Sequence, residues 1–402
     1  MPTESEPDRQ SRILEVDGLR GLAISLVLFY HYFGSTVQRQ PHTLLAYLFA
    51  PFRLSWSGVD LFFVLSGFLI GGILLDARKS TNYFKVFYTR RFFRIVPIYF
   101  VLLLTFVGFW LAVGSSAQPV FSGILAGTMP FWTYPLFIQN FWLAAAGTFG
   151  TGWLAPTWSL CVEEQFYLTL PSIVRFFSRR ALIGFVISGI AAAPLFRMIL
   201  YRSSPTGWIG SDVLLFCRAD ALLFGVLCAL LFRSRRWSRR ISGSSYWFPG
   251  LLLTLLGLAV FLTKIGPDFW RVELVSFGYT SLAALYACLL LFVCTRPAHF
   301  LAAVARWRVL RWLGSIAYGT YLFHMPIQAL TFALVRRGAP QIDNFSSLVL
   351  TLAALAVTLV LAHLSWNFFE SRLVKFSHRA RYAFQPQEQT SLLPSVTAGV
   401  RQ

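Results

Sequence analysis

The chain has 402 residues, of which 56% are hydrophobic and only 13% are charged. A soluble domain carries about 25% charged residues, and apolar stretches recur here along the whole chain, which excludes a soluble domain with one anchor. The net charge of +19 comes from basic residues scattered between those stretches. That distribution excludes nucleic acid as a partner and indicates contact with the anionic headgroups of a lipid bilayer.

Ten apolar segments follow in chain order, and each is long enough to cross about 30 Å of hydrocarbon as a helix. We therefore predict an all-α integral membrane protein, a bundle of about ten transmembrane helices. No cleavage site of small residues follows the first segment, so it is not predicted to be a signal peptide. The predicted spans are 21–37, 58–75, 95–113, 157–175, 181–200, 212–232, 246–263, 276–294, 312–331 and 346–368.

The orientation follows from the positions of lysine and arginine. With ten spans and the N-terminus inside, 26 of the 35 basic residues fall in inner segments, 8 in outer segments, and Arg218 within a span. The segment 121–143 is apolar enough to be a further span, but the division would then become 15 inside and 19 outside. The positive-inside rule favours ten spans in the plasma (inner) membrane, with both termini cytoplasmic and 114–156 outside.

Polar tails flank the membrane region. Residues 1–12 and 377–402 have no sustained apolar period, and we predict both as disordered cytoplasmic tails around one transmembrane domain, 13–376. The five cysteines lie inside or at the ends of spans without C-x-x-C spacing. Neither a metal site nor a disulfide framework is therefore predicted.

Ionisable residues inside spans are costly, so each is a candidate for function. Arg20 and His31 are eleven residues apart, which places them within about 20° of a common helix face and about 16 Å apart along the axis. Histidine suits general-base catalysis near neutral pH. An arginine at one membrane interface and a hydrogen-bonded histidine at the other explain the same pair equally well.

Three arginines, Arg90, Arg91 and Arg94, precede the third span. Guanidinium groups bind phosphates in a bidentate manner, and the R-x-x-R spacing puts two of them on one helix face. These residues are predicted to hold a phosphate-bearing donor. A positive-inside anchor explains one or two of the arginines, but explains their common face less well.

The fourth span contains Glu163 and Glu164, and Glu163 shares a helix face with Tyr167. Ser66 is predicted to be a packing position, because the strand-to-helix elbow of a serine nucleophile is absent. The aromatic residues of 131–158 form either an interfacial belt or the wall of a sugar-binding cleft.

Further polar residues in spans are candidates for acceptor binding or for a structural role. Asp60 can pair with a cation or orient a histidine, and Arg218 and Asp220 are candidate partners of each other. Tyr321 and His324 lie in the outer half of the ninth span.

Six segments in one order give the chain a specific pattern. They are VDGLRGLA (16–23), GVDLFFVLSGFLI (58–70), RRFFRIVPIY (90–99), TWSLCVEEQFYL (157–168), RADALLFG (218–225) and IAYGTYLFHMP (316–326). This pattern resembles the membrane-bound acyltransferase 3 family, the O-acetylases of bacterial surface glycans, from about residue 13 to 372. The resemblance implies transfer of an acyl group, most often acetyl, from cytoplasmic acyl-CoA to a hydroxyl of a sugar or lipid-linked glycan.

Carried over to this chain, the family's motifs imply catalytic roles for Arg20, His31 and Glu163 and donor binding by Arg91 and Arg94. Acyl-CoA is then a co-substrate, and no permanently bound cofactor is expected. Cys161 and the closing ESR of 370–372 depart from the family's usual pattern. The chain also lacks the C-terminal esterase-like domain of some relatives, which favours the short form of the family.

Two other classes of protein remain open on the sequence alone. A transporter or flippase of an acylated or anionic glycan also needs intramembrane charges and aromatic loops. It predicts substrate movement without consumption of a thioester. A structural scaffold leaves the glutamates and histidines inside the spans without a purpose.

Overall fold

The computed structural model describes residues 13–37, 54–113, 121, 130–243, 246–262 and 274–384. Within these ranges the chain is helical and forms no sheet beyond one isolated bridge between Val37 and Ile342. The predicted tail 1–12, most of the predicted tail 377–402, and residues 122–129 of the ambiguous segment lie outside the described residues.

The long helices occur where the apolar segments predicted them, and shorter helices lie between them. The first eight are α1 (Leu14–Phe29), α2 (Gly58–Ala77), α3 (Tyr83–Val113), α4 (Gln139–Ala146), α5 (Thr157–Phe176), α6 (Arg179–Ser203), α7 (Gly207–Val213) and α8 (Leu215–Phe232). The others are α9 (Arg235–Ser242), α10 (Trp247–Leu262), α11 (Tyr279–Thr295), α12 (Phe300–Ala305), α13 (Arg308–Arg336), α14 (Phe345–Ser365) and α15 (Ser371–Ser377). A π-helical turn, Tyr30–Gly34, continues α1.

In the described part of the chain, six segments are long and apolar enough to cross a membrane. They contain α2, α3, α6, α7 with α8, α11, and α14 with α15. The helices α9 and α10, bent by 76° relative to each other, give a seventh if they count as one span. The chain is therefore a multi-pass membrane protein. Three predicted spans are absent from this set, namely those of α1, α5 and α13, which carry Arg20, Glu163 and His324.

The helices pack around two central contacts. Along one, α1 lies against α13, and α14 covers the other side of α13. Along the second, α2 lies against α8, which also contacts α6 and α11. The contacts of α1 with α2 and of α2 with α5 join the two halves.

Glycines in the sequence motifs allow these helices to approach closely. A Cβ atom on Gly67 of α2 would lie 1.9 Å from the carbonyl oxygen of Leu222, and one on Gly225 of α8 would lie 2.1 Å from that of Val64. Close backbone approach at small residues is a principal source of helix association in membranes. Part of the motif pattern therefore serves packing.

Two loop predictions need correction. The predicted inner loop 76–94 is largely helical, since α3 begins at Tyr83, and the arginines of this region lie on α3 itself. The predicted tail boundary at 377 is too early, because backbone and side-chain hydrogen bonds join Ala383 to Thr81 and Asn82. The segment after α15 thus packs against the start of α3.

Candidate active site

A cavity of about 110 Å³ lies between α1, α2, α3, α5 and α13. It brings together residues that are far apart in the sequence. Its apolar wall includes Phe62, Phe63 and Ile95. Its polar lining consists of Arg20, Ser66, Arg91, Arg94, Ser159, Glu163, Tyr167, Tyr318 and Tyr321.

One end of the cavity is strongly basic. Arg20 comes from the second turn of α1, and Arg91 and Arg94 come from one face of α3, as the R-x-x-R spacing predicted. The guanidinium carbon of Arg91 lies 6.0 Å from the centre of the Tyr167 ring. Three cations in a partly apolar space form a site for an anionic group, because charge interactions are strongest where water is scarce. We call this the arginine end.

Glu163 supplies the acidic side chain of the cavity. Its Oε1 atom accepts a hydrogen bond from the Ser66 hydroxyl at 2.6 Å, and its Oε2 atom accepts one from Tyr167 at 3.2 Å. Its carboxylate also interacts electrostatically with Arg20 and Arg91. A carboxylate inside a membrane helix needs such partners, since an isolated buried charge is costly.

The cavity follows the helix axes. On α2 its lining runs from Val59 to Ile70, which corresponds to about 16 Å of helix rise. The void therefore extends lengthwise through the site.

Two histidines lie one helical turn beyond Tyr321. Nε2 of His324 is 3.3 Å from Nδ1 of His31, and the two ring centres are 4.8 Å apart. The ring of Tyr321 lies 5.6 Å from that of His324, and its hydroxyl bonds to Ser159. We call the region around His31 and His324 the histidine end.

Arg20 and His31, predicted to share one face of α1, occupy different positions relative to the cavity. Both residues lie on the side of α1 that faces α13, but only Arg20 lines the cavity. His31 is half-buried, whereas His324 is completely buried. Tyr321 lines the cavity and its ring packs against that of His324, which in turn contacts His31, so Tyr321 connects the cavity to the histidine end.

Arg90 does not join the other two arginines of α3. Its guanidinium group donates hydrogen bonds of 3.1 and 2.8 Å to the carbonyl oxygen of Ala380, and it lies over the Tyr382 ring. Arg90 therefore holds the segment after α15 and, unlike Arg91 and Arg94, is not among the residues that line the cavity.

Asp60, Arg218 and Asp220 belong to a separate buried network. Arg218 bonds to Asp60 at 2.7 Å, and Asp220 bonds to Arg197 at 2.9 Å. The sequence predicted a cation beside Asp60 correctly, but the direct pairing of Arg218 with Asp220 is wrong. None of these three residues is among those that line the cavity, and the ring of Phe63, which does line it, lies 5.7 Å from the guanidinium carbon of Arg218.

The aromatic residues of 131–158 divide into two groups. Trp132 and Trp142 are exposed and contact each other edge to face, as expected for an interfacial belt. Trp153 and Trp158 are buried, and Trp158 packs beside Arg218.

Sequence reasoning did not assign a site role to Ser66, Ser159 or Tyr318. The sequence predicts Ser66 as a packing position, whereas the structure places it in the cavity wall with a hydrogen bond to Glu163. Tyr318 lies three residues before Tyr321 and therefore on the same helix face. A search for polar residues on the face of a candidate site residue would have found it.

The sequence is similar to proteins of known family. The sequence profile of an acyltransferase domain, Acyl_transf_3, matches residues 13–366. The chain is 27% identical to the peptidoglycan O-acetyltransferase OatA of Listeria monocytogenes, over 90% of this chain and 55% of the relative. It is 29% identical to YrhL of Bacillus subtilis, named as a candidate peptidoglycan O-acetyltransferase, over 88% of this chain and 54% of that protein.

A candidate O-acetyltransferase of Staphylococcus aureus is 25% identical over 92% of this chain and 59% of its own length. The chain thus spans somewhat more than half the length of these curated relatives. No solved structure matches it. Because the acyltransferase profile covers most of the chain and the same motifs build the cavity, this protein belongs to the acyltransferase 3 family.

Proposed function

We propose that this chain is a membrane O-acyltransferase that moves an acetyl group from cytoplasmic acetyl-CoA to a hydroxyl of a surface glycan. One observation carries the proposal: a single cavity joins Arg20, Arg91 and Arg94 to Glu163, and its lining residue Tyr321 packs against His324, the neighbour of His31. The named relatives point to peptidoglycan as the glycan.

The proposed orientation places the arginine end in the cytoplasm. In this arrangement α1, α5 and α13 also cross the membrane, which gives about ten spans with both termini inside. Arg20, Glu163 and Tyr321 of these helices line the cavity, so the cost of placing them in lipid is avoided.

Donor binding is assigned to Arg91 and Arg94, with Arg20 beside them. Their guanidinium groups bind the phosphates of the donor, since arginine matches phosphate oxygens in pairs. The acyl end of the donor then lies along the cavity toward Tyr321. The lining length of about 16 Å on α2 supports a long, narrow donor arm over a compact ligand.

Transfer takes place at the histidine end. Nε2 of His31 accepts the proton of the acceptor hydroxyl, the hydroxyl oxygen bonds to the acyl carbon, and the carbon–sulfur bond breaks. The proton then passes to the sulfur, so the products are an ester and a free thiol. Glu163 balances the charge of Arg20 and Arg91 and holds Ser66 and Tyr167 in place.

The experiment expresses the chain in a bacterium whose peptidoglycan carries no O-acetyl esters. Acetate released by mild alkali from purified peptidoglycan is measured, because esters hydrolyse under these conditions and N-acetyl amides survive. Wild-type protein and the control His363→Ala should both produce esters, and His31→Ala should not. His363 is a suitable control because it is an exposed histidine of α14 away from the cavity.

The same experiment distinguishes an acyltransferase from the competing function, that of a transporter or flippase. A transporter or flippase would move glycan without ester formation that depends on His31. Esters found only on another envelope glycan would keep the acyltransferase activity and reject peptidoglycan as the acceptor. No new ester in any envelope glycan would reject the proposal.

A further inference from the structure

His324 is buried behind His31 and is tied to its own helix. Nδ1 of His324 lies 2.7 Å from the carbonyl oxygen of Tyr321, one turn earlier on α13. A carbonyl oxygen can only accept, so this nitrogen must carry the proton. In a neutral imidazole the other nitrogen is then an acceptor, and it is Nε2 of His324 that faces His31.

The same reasoning shows which ring nitrogen of His31 carries the proton. Its Nδ1 atom lies 3.0 Å from the carbonyl oxygen of Val27 and 3.3 Å from Nε2 of His324. Both neighbours are acceptors, so Nδ1 of His31 donates to both. The remaining nitrogen, Nε2, keeps its lone pair, and it has no hydrogen-bond partner within the described ranges.

We propose that His324 is a positioning residue that holds His31 in the tautomer whose Nε2 atom can accept a proton. The inference rests on the proposed function, in which His31 is the base. His324 is completely buried and is not among the residues that line the cavity, so we assign it a role through His31.

Hydrogen bonds from neighbouring residues fix the backbone positions of both histidines. The Tyr32 hydroxyl donates to the carbonyl oxygen of His324 at 3.0 Å and lies 2.7 Å from the Thr358 hydroxyl. The Gln328 amide donates to the carbonyl oxygen of His31 at 3.1 Å. These bonds connect the π-helical turn after α1 to α13 and α14, so the ring-to-ring contact is set by three helices.

The hydrogen bond between His31 and His324 stabilises the transition state more than the ground state. When His31 takes up a proton its ring becomes positive, and Nδ1–H then donates a charge-assisted bond to the neutral Nε2 of His324. Such bonds are stronger than neutral ones. His324 should therefore affect turnover more than donor binding.

Two amide variants of His324 distinguish a positioning role from a purely structural one. His324→Gln places an amide oxygen near the original Nε2 position and can still accept from His31. His324→Asn is one carbon shorter, so it can bond to the Tyr321 carbonyl but cannot reach His31. Acetyl transfer to peptidoglycan fragments, with acetyl-CoA as donor, is measured for each purified variant in bilayers.

We expect His324→Asn and His324→Ala to lower kcat by about 10- to 100-fold with an unchanged KM for acetyl-CoA, within the range of a positioned base. His324→Gln should recover a substantial part of the loss. Wild-type kcat in His324→Asn, or a Gln variant no better than the Asn variant, would overturn the inference. If His31→Ala is inactive, either of these two results rejects the role of His324 but leaves the proposed function intact.

A measurement on the wild-type protein avoids any folding defect of the variants. Nitrogen-15 spectra of histidine-labelled protein in bilayers distinguish a protonated from an unprotonated ring nitrogen, and His31→Ala identifies the His31 signals. We expect Nδ1 of His31 protonated and Nε2 unprotonated. The opposite tautomer would contradict the proposal whatever the variants do.

Discussion

The Ser66 hydroxyl donates a 2.6 Å hydrogen bond to Glu163, which joins α2 to α5 inside the cavity. These residues are 97 positions apart, and Ser66 lies in a helix that is otherwise apolar around this level. The bond keeps the only carboxylate among the described cavity-lining residues at a fixed position beside Arg20 and Arg91. Several consequences can be measured.

Replacement of Glu163 should lower turnover without weakening donor binding. Glu163→Gln keeps the shape of the side chain but removes the charge that offsets Arg20 and Arg91, so the cavity becomes more attractive to anions. We expect kcat to fall at least 10-fold and KM for acetyl-CoA to stay the same or decrease. The adjacent Glu164 does not line the cavity, and Glu164→Gln is the matched control. Equal effects of the two changes would contradict this role.

The arginines of α3 should divide into donor-binding and structural residues. Arg91→Ala and Arg94→Ala should each raise KM for acetyl-CoA by about 10- to 100-fold, since a hydrogen bond to a charged group contributes about 1.5–3 kcal/mol. Arg90→Ala is the neighbouring control, because Arg90 bonds to Ala380 instead. Steady-state kinetics at varied donor concentration provides the measurement. A KM increase of the same size in all three variants would refute the division.

The contact between α2 and α8 should not tolerate a side chain at Gly225. Its Cβ would lie 2.1 Å from a backbone oxygen, so Gly225→Val must push the two helices apart. We expect loss of monodisperse protein in detergent and a lower melting temperature. Gly257→Val is the control, because a Cβ there meets nothing within 4 Å. Normal stability of Gly225→Val would show that the helices are not in close contact.

The buried network around Arg218 should matter for stability and not for donor affinity. Asp60→Asn leaves the Arg218 charge without its 2.7 Å partner, and loss of one partner of a buried pair costs about 3–5 kcal/mol. The exposed pair of Arg336 with Asp343 is the comparison, and Asp343→Asn should leave the melting temperature unchanged. A raised KM for acetyl-CoA in folded Asp60→Asn protein would argue against a structural role.

The proposed orientation can be tested by labelling in intact cells. Ser242→Cys, at the end of α9, should be protected from a membrane-impermeant maleimide, because this end is cytoplasmic. Ser204→Cys, between α6 and α7, should react with it. Both serines are exposed, and three of the five native cysteines are buried. The reverse pattern would invert the bundle and reject a cytoplasmic arginine end.

Helix positions were predictable because they depend on local chain composition. The apolar run 58–75 is enough to locate α2, and the spacing of Arg91 and Arg94 is enough to place both on one face of α3. The pairing of Arg218 with Asp60 was not predictable in the same way, since it joins residues 158 positions apart. Such contacts depend on which helices become neighbours.

Other differences have local causes that the apolar pattern does not reveal. The π-helical turn Tyr30–Gly34 changes the course of α1 just where His31 meets His324. Arg90 has the same sequence surroundings as Arg91, but the segment around Ala380 takes up its hydrogen bonds. Three of the five helices that line the cavity, α1, α5 and α13, are absent from the segments that are long and apolar enough to cross a membrane, whereas α2 and α3 are among them.

The most direct test of the central claim follows one labelled acetyl group through purified protein in closed vesicles. Acetyl-CoA with a labelled acetyl group is supplied on the side of the arginine end, and peptidoglycan fragments on the other side. The account predicts one free thiol released per alkali-labile labelled ester formed, and neither product with His31→Ala. Labelled ester at the wild-type rate in His31→Ala protein, or glycan movement with no thiol released, would contradict it.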